Sequence, residues 1–221
     1  MQQNSNSFFE IRDNVFAYIS ATNSSNCYLL KSDKLIIIDS GLECDFKILE
    51  LALSKIGVSS DQIDFVFHTH GHADHFGGSN FFPNAKLWMS KHDAEKLNSK
   101  DSNFTANYLL GSKLIPNITN FFDKNQKFKF KNFELKVIET SGHTKGSVCF
   151  YEPSLKILFS GDTIFKGAFG RYDLPTGNLL ELKESISKLA KIDYSMLLPG
   201  HGAILTEKTH ENIAFLSSML D

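Results

Sequence analysis

At 221 residues, with 42% hydrophobic and 22% charged side chains, the chain is long enough to bury a sizeable core as one large domain or two small ones. A formal net charge of -2 argues against the basic surface of a nucleic-acid-binding protein. No apolar run approaches the roughly 20 residues that span a bilayer, and the polar start from Met1 to Ser7 lacks the basic head and apolar core of a secretory signal. Three widely separated cysteines, Cys27, Cys44 and Cys149, form no CxxC pair. They read as small buried hydrophobes in a reducing compartment, so a cytoplasmic protein without a membrane partner is expected.

From Phe8 to Leu30, short apolar runs broken by Asp13-Asn14 and by Thr22 to Asn26 predict consecutive antiparallel strands. Lys34 to Ile38 reads as a strand buried on both faces, ending at Asp39-Ser40-Gly41. Taken alone, Asp39 would cap the next helix, Glu43 to Ile56, where Phe46, Leu49, Leu53 and Ile56 recur at helical spacing and Gly57 stops the run. A further strand over Asp61 to Phe67 delivers the densest stretch of the chain, Thr69-His70-Gly71-His72-Ala73-Asp74-His75, to a loop at its carboxyl end. Three of the eight histidines fall there, beside an aspartate and away from any cysteine. Imidazole and carboxylate suit zinc, iron or manganese rather than a closed thiolate site.

A short strand over Lys86 to Met89 and a short helix over Lys91 to Leu97 follow. Residues 98–126 then mix Asn, Ser and Lys with Phe104, Tyr108, Leu109, Leu110, Ile115, Phe121 and Phe122. They read as a surface excursion, either a lid or a packed insertion. Strands are predicted over Phe128 to Phe130, Phe133 to Glu139, Ser147 to Tyr151, Lys156 to Ser160 and Ser195 to Leu198, with helices over Leu179 to Ala190 and Glu207 to Leu220. No linker divides the chain, so a single domain over 1–221 is expected. Two β-rich halves facing each other with helices outside make an α+β protein, a four-layer αββα sandwich.

Three strand-to-loop junctions in the second half each deliver another metal-competent residue beside a glycine: His143 in Ser141-Gly142-His143, Asp162 in Ser160-Gly161-Asp162 and His201 in Pro199-Gly200-His201. With the opening motif they make five histidines and two aspartates, enough for two ions. His68 alternates with His70 but reads as a packed core residue, and His92 and His210 lie in predicted helices without a partner at ligand spacing.

His-x-His-x-Asp-His followed by a lone His, a lone Asp and a lone His, with an earlier Asp at a strand end, resembles the metallo-β-lactamase superfamily over nearly the whole chain. The resemblance implies that His70, His72 and His143 hold one metal and that Asp74, His75 and His201 hold the second. Asp162 would bridge the two, and Asp39 would orient ligands without binding metal. Lactam-cleaving members commonly carry cysteine where Asp162 stands, so a β-lactamase is not expected. The run from Gly161 to Arg171, and Asn26-Cys27-Tyr28-Leu29, are similar to glyoxalase II and its shorter relatives. There a basic residue matching Arg171 meets the glutathione part of the substrate. The chain ends soon after His201, short of that enzyme's C-terminal helical region, and it has Ser147 where another histidine is frequent, which favours a thioester in general over glutathione.

The resemblance therefore implies a metal-dependent hydrolase that directs a metal-bridged hydroxide at a small acyl thioester. Its cofactors would be two divalent ions, zinc first, with iron or manganese as alternatives. Asp74 would serve as a ligand before it serves as a base, and Arg171, Tyr172 and Lys166, with Phe169 and Asp173, would line the substrate mouth. Two other readings fit the same motifs. One is a mononuclear-iron persulfide dioxygenase, similar around Gly170-Arg171-Tyr172-Asp173 and using residues matching His70, His143 and Asp162. The other is a lactonase or metallo-nuclease of the same fold.

Overall fold

The computed structural model describes residues 6–106 and 110–220. Strands β1 (Phe8–Arg12), β2 (Val15–Tyr18), β3 (Cys27–Lys31) and β4 (Leu35–Ile38) form an antiparallel meander. Parallel strands β5 (Phe65–Phe67), β6 (Lys86–Ser90) and β7 (Asn120–Phe122) extend it to a seven-stranded sheet in chain order. The second sheet is built from β8 (Lys127–Lys129), β9 (Glu134–Glu139), β10 (Val148–Glu152) and β11 (Ile157–Gly161), all antiparallel. A small hairpin, β12 (Ile164–Phe165) and β13 (Ala168–Phe169), precedes β14 (Met196–Pro199), which returns to lie parallel to β11.

The period-two alternation of the strands sorts their side chains into layers. In β4, Ile36 and Ile38 point into the core between the sheets, whereas Ile37 points outward. Tyr28, Leu30 and Phe67 from the first sheet meet Val137, Phe150 and Phe159 from the second in that inner core. Phe67 lies at its aromatic centre, with ring centroids 5.6 Å from Phe122, 4.6 Å from Phe128 and 5.7 Å from Phe150. Pairs of this kind add about 0.5–1.5 kcal/mol beyond the area they bury.

Helices cover both outer faces. Helix α1 (Phe46–Lys55) lays Phe46, Leu49 and Leu53 on Leu29, Ile37 and Val66. The short α2 (Ala73–Phe76) and α3 (Lys91–Asn98) share a smaller cluster built on Phe76, Met89 and Leu97. Helices α4 (Leu179–Leu189) and α5 (Thr209–Ser218) cover Cys149, Leu158 and Leu197 with Leu182, Ile186, Ile213 and Leu216. The layers are therefore helix, sheet, sheet, helix, the αββα sandwich read from the sequence. Among the described residues no helix is long and apolar enough to cross a membrane.

Four sequence expectations change. The strand before the histidine motif is only Phe65–Phe67, because Ser59 and Gln62 close a capping box that turns residues 60–62 into a 3-10 turn. Residues 98–126 are not wholly a surface excursion: Phe104, Ile118 and Phe122 are buried, and β7 belongs to the first sheet. Tyr108 and Leu109 lie outside the described residues. Asp39 does not cap α1; it turns back toward the histidine loop with φ +56°, a left-handed conformation that aspartate tolerates better than most residues. Cys44 is exposed at the start of the turn before α1, while Cys27 and Cys149 are buried as expected.

Candidate metal centre

Every candidate ligand stands just beyond the end of a core strand, or between two of them, at one edge of the sandwich. The loop after β5 carries His70, His72, Asp74 and His75, the β9–β10 loop carries His143, and Asp162 and His201 follow β11 and β14. Their donor atoms meet in three overlapping groups, each within 4.8 Å: His70, His72 and His143; His70, His75 and Asp162; and Asp74, His75 and His201. The sequence set of seven is thus brought together in full.

Hydrogen bonds behind the rings fix which nitrogen of four imidazoles faces inward. Thr69 Oγ1 donates to Asp39 Oδ2 at 2.8 Å, so it accepts from His70 Nδ1 at 3.1 Å. Asp39 Oδ2 also accepts from His75 Nδ1 at 2.8 Å, and Asp39 Oδ1 accepts from the Thr69 backbone N–H. The Arg171 carbonyl accepts from His143 Nδ1 at 2.8 Å. Thr176 Oγ1 donates to the His143 carbonyl and so accepts from His72 Nε2 at 3.2 Å. The nitrogens left facing inward are His70 Nε2, His72 Nδ1, His143 Nε2 and His75 Nε2.

Those nitrogens crowd one another. His72 Nδ1 lies 3.2 Å from His70 Nε2 and 3.0 Å from His143 Nε2. Burial, then the neighbouring His143, holds His72 down at about 3, and burial followed by His75 holds His70 well below the ordinary imidazole value. Neither ring carries a second proton at neutral pH, so His70 Nε2 and His72 Nδ1 meet acceptor against acceptor and call for a cation between them. Asp162 gives the same indication: its Oδ1 is buried without a hydrogen-bond partner, 3.3 Å from His75 Nε2 but out of line with it. Its Oδ2 lies 3.6 Å from both His143 Nε2 and His201 Nε2, between the first and third groups.

In the third group, His201 Nε2 is 3.1 Å from Asp74 Oδ2 and 3.3 Å from His75 Nε2. Burial works against charge on both rings, yet nearby carboxylates outweigh it, Asp39 first for His75 and Asp162 first for His201, and both pKa values are raised. Burial likewise opposes ionisation of Asp74 and Asp162. His75 overcomes it for Asp74, His201 for Asp162, and both carboxyls are lowered. Imidazoles beside ionised carboxylates make a donor set that suits a borderline divalent cation, which would take the place of the protons that the carboxylates favour on His75 and His201.

The proposed substrate residues sit at the rim. Arg171, Tyr172 and Asp173 are exposed, and the Arg171 guanidinium bonds both oxygens of Asp173 at 2.9 and 2.7 Å. Lys166 is exposed at the turn of the β12–β13 hairpin, whose Phe165 ring lies 6.4 Å from His201. A cavity of about 290 Å³ is lined by Thr176 together with Phe104, His92, Lys96 and Lys145. The larger cavity, about 500 Å³, lies against α1 and includes no candidate ligand.

His68 is a core residue, buried with Nδ1 at the Trp88 carbonyl and Nε2 at Ser79 Oγ. Thr69 and Thr176 went unrecognised in the sequence. A threonine that accepts from a histidine ring has no spacing signature, although the place of Thr69, directly before His70, is a hint.

Two sheets that close on a converging set of histidines and aspartates define a metallohydrolase. The chain matches the metallo-beta-lactamase superfamily over residues 21–201 and belongs to it. It is 35% identical to a probable metallo-hydrolase of Methanocaldococcus jannaschii over 189 residues, covering 82% of this chain and 89% of the relative. It is 29% identical to a hydroxyacylglutathione hydrolase of Haemophilus influenzae, covering 82% and 87%. The protein TTHA1623, solved in a di-iron-bound form, superposes with a TM-score of 0.72 at 25% identity, covering 91% of this chain and 96% of that one.

Proposed function

We propose that this protein is a dinuclear metallohydrolase that cleaves a small acyl thioester. The observation that carries the reading is the convergence of the inward nitrogens of His70, His72, His143 and His75 with the orphaned oxygen of Asp162. In this reading His70, His72 and His143 hold one ion, Asp74, His75 and His201 hold the other, and Asp162 reaches both. Bound there, the ions supply a water acidified toward neutrality and positive charge for the acyl oxygen.

The chain's own residues keep that site ready. Asp39, Thr69, Thr176 and the Arg171 carbonyl hold the rings in the orientations that turn their other nitrogens inward. Asp74 stays ionised at neutral pH and acts as a ligand before it acts as a base. Arg171, Tyr172 and Lys166 at the rim meet the thiol part of the substrate. The similarity to a hydroxyacylglutathione hydrolase supports the thioester, and the di-iron form of TTHA1623 supports iron beside zinc and manganese as the metal. We read residues 1–221 as one domain and, from the three free thiols, as a cytoplasmic protein.

The test is a panel of thioesters, lactones, persulfides and phosphodiesters assayed with metal-loaded protein. A thioester is expected to give the highest kcat/KM. Oxygen uptake driven by a persulfide with one iron per chain, or a preference for phosphodiesters, contradicts the reading.

A further inference from the structure

Asp93 is a fully buried carboxylate on the first turn of α3, and nothing in the metal centre described above uses it. Its Oδ2 accepts from the Gly71 backbone N–H at 3.0 Å and from Thr144 Oγ1 at 2.6 Å. Its Oδ1 accepts from the Gly146 backbone N–H at 2.9 Å and lies 3.1 Å from His92 Nδ1. Gly71 stands between His70 and His72, and Thr144 directly follows His143. One side chain therefore bonds the residues next to all three members of the first triad, across the gap between a first-sheet loop and a second-sheet loop.

The backbone is shaped for this contact. A Cβ on Gly146 would stand 2.3 Å from Asp93 Oδ1 and 2.1 Å from Ser90 Oγ, and one on Gly71 would stand 2.6 Å from the Phe104 ring and 3.2 Å from Asp93 Cβ. Glycine at these two positions lets both loops close on the carboxylate. Ser90 Oγ in turn accepts from the Asp93 N–H and anchors the start of α3. The second triad is held by other groups: Asp39 bonds His75, and the Asn26 side chain bonds the Pro199 and Gly202 carbonyls on either side of His201.

We propose that Asp93 is a positioning residue for the first triad, setting the spacing between His70 and His72 on one loop and His143 on the other. Both of its oxygens must accept. An asparagine of the same size would turn an NH₂ group toward either the Gly146 N–H or the Gly71 N–H and Thr144 hydroxyl.

The proposal rests on the two-triad reading and is tested by cobalt(II) titration of metal-free protein, following the visible d–d absorption. His72→Ala assigns the step belonging to the first triad, and His201→Ala the step belonging to the second. Asp93→Asn is expected to weaken cobalt at the first triad roughly 10- to 100-fold, as for other groups that orient metal ligands, and to leave the second unchanged. Thr144→Val, which removes a single hydroxyl donor, is expected to shift the same step in the same direction by less, and it decides the matter if Asp93→Asn does not fold. Equal weakening of both steps would mean general loosening and would overturn the proposal, as would an unchanged first step. If wild-type protein takes up one ion that His72→Ala abolishes, the two-ion reading fails while the effect of Asp93→Asn on that ion still decides. A single ion that survives His72→Ala overturns both.

Discussion

Gly200 shows how little room the metal centre leaves. A Cβ there would stand 2.2 Å from Asp162 Oδ1 and 2.7 Å from His75 Cε1, two candidate ligand side chains. Gly200→Ala is therefore expected to reduce turnover by roughly 100-fold, the upper end of what misplaced ligands cost, with little change in far-ultraviolet circular dichroism. Wild-type turnover in that variant would show that Asp162 and His75 are not in the reacting site. The three thiols give a second prediction at this scale. Cys27 and Cys149 are buried, and burial raises Cys149 to about 11 and Cys27 well above the ordinary thiol value. Cys44 is exposed, but burial of its sulfur and then the Asp45 carboxylate raise it as well. The thiolate is the nucleophile, so its fraction grows with pH. Native protein should show one thiol reactive toward a maleimide or disulfide reagent, at a rate still climbing above pH 9, and three thiols after denaturation. Three reactive thiols in native protein would contradict the buried positions of Cys27 and Cys149. The ligand residues were legible in the sequence because histidine and aspartate beside glycine at strand ends are unusual there. The orienting role of Asp39 was legible only through the family resemblance, and the roles of Thr69, Asp93 and Thr176 were not legible, since common residue types carry no signature for such contacts.

Elements were legible where their periodicity is strong. The three isoleucines of β4 alternate between the inner and outer cores as a doubly buried strand must, and α1 buries Phe46, Leu49 and Leu53 at helical spacing. The two-residue strands of the β12–β13 hairpin are too short to show a period, and local capping at Ser59 overrode the apparent strand start at Asp61. Residues 98–126 misled because β7 is three residues long within a polar stretch and joins the sheet through a parallel pairing with β6 that no local signal announces. Helix α4 links packing to the metal centre. Leu182 is fully buried in the outer core, and a Cβ on Gly142, next to His143, would lie 2.4 Å from its Cα. Leu182→Ala is expected to lower stability by about 2–5 kcal/mol, measured by denaturant unfolding. A loss below half a kcal/mol would show that α4 does not hold this face of the sheet.

At the scale of the whole molecule, each of the three ligand groups draws residues from loops of both sheets. Metal bound there would staple the two halves of the sandwich, adding to direct ties such as the Val148 N–H donating to the Thr69 carbonyl at 2.8 Å. Binding that favours the folded state raises its stability by mass action, so metal should raise the unfolding temperature as well as permit turnover. The most direct measurement is thioester hydrolysis and metal content followed together as the protein is stripped with a chelator and reloaded with zinc, iron or manganese. Activity should fall in step with metal content and return when metal is restored. Full activity in protein verified to be free of metal would contradict metal-dependent hydrolysis at this centre.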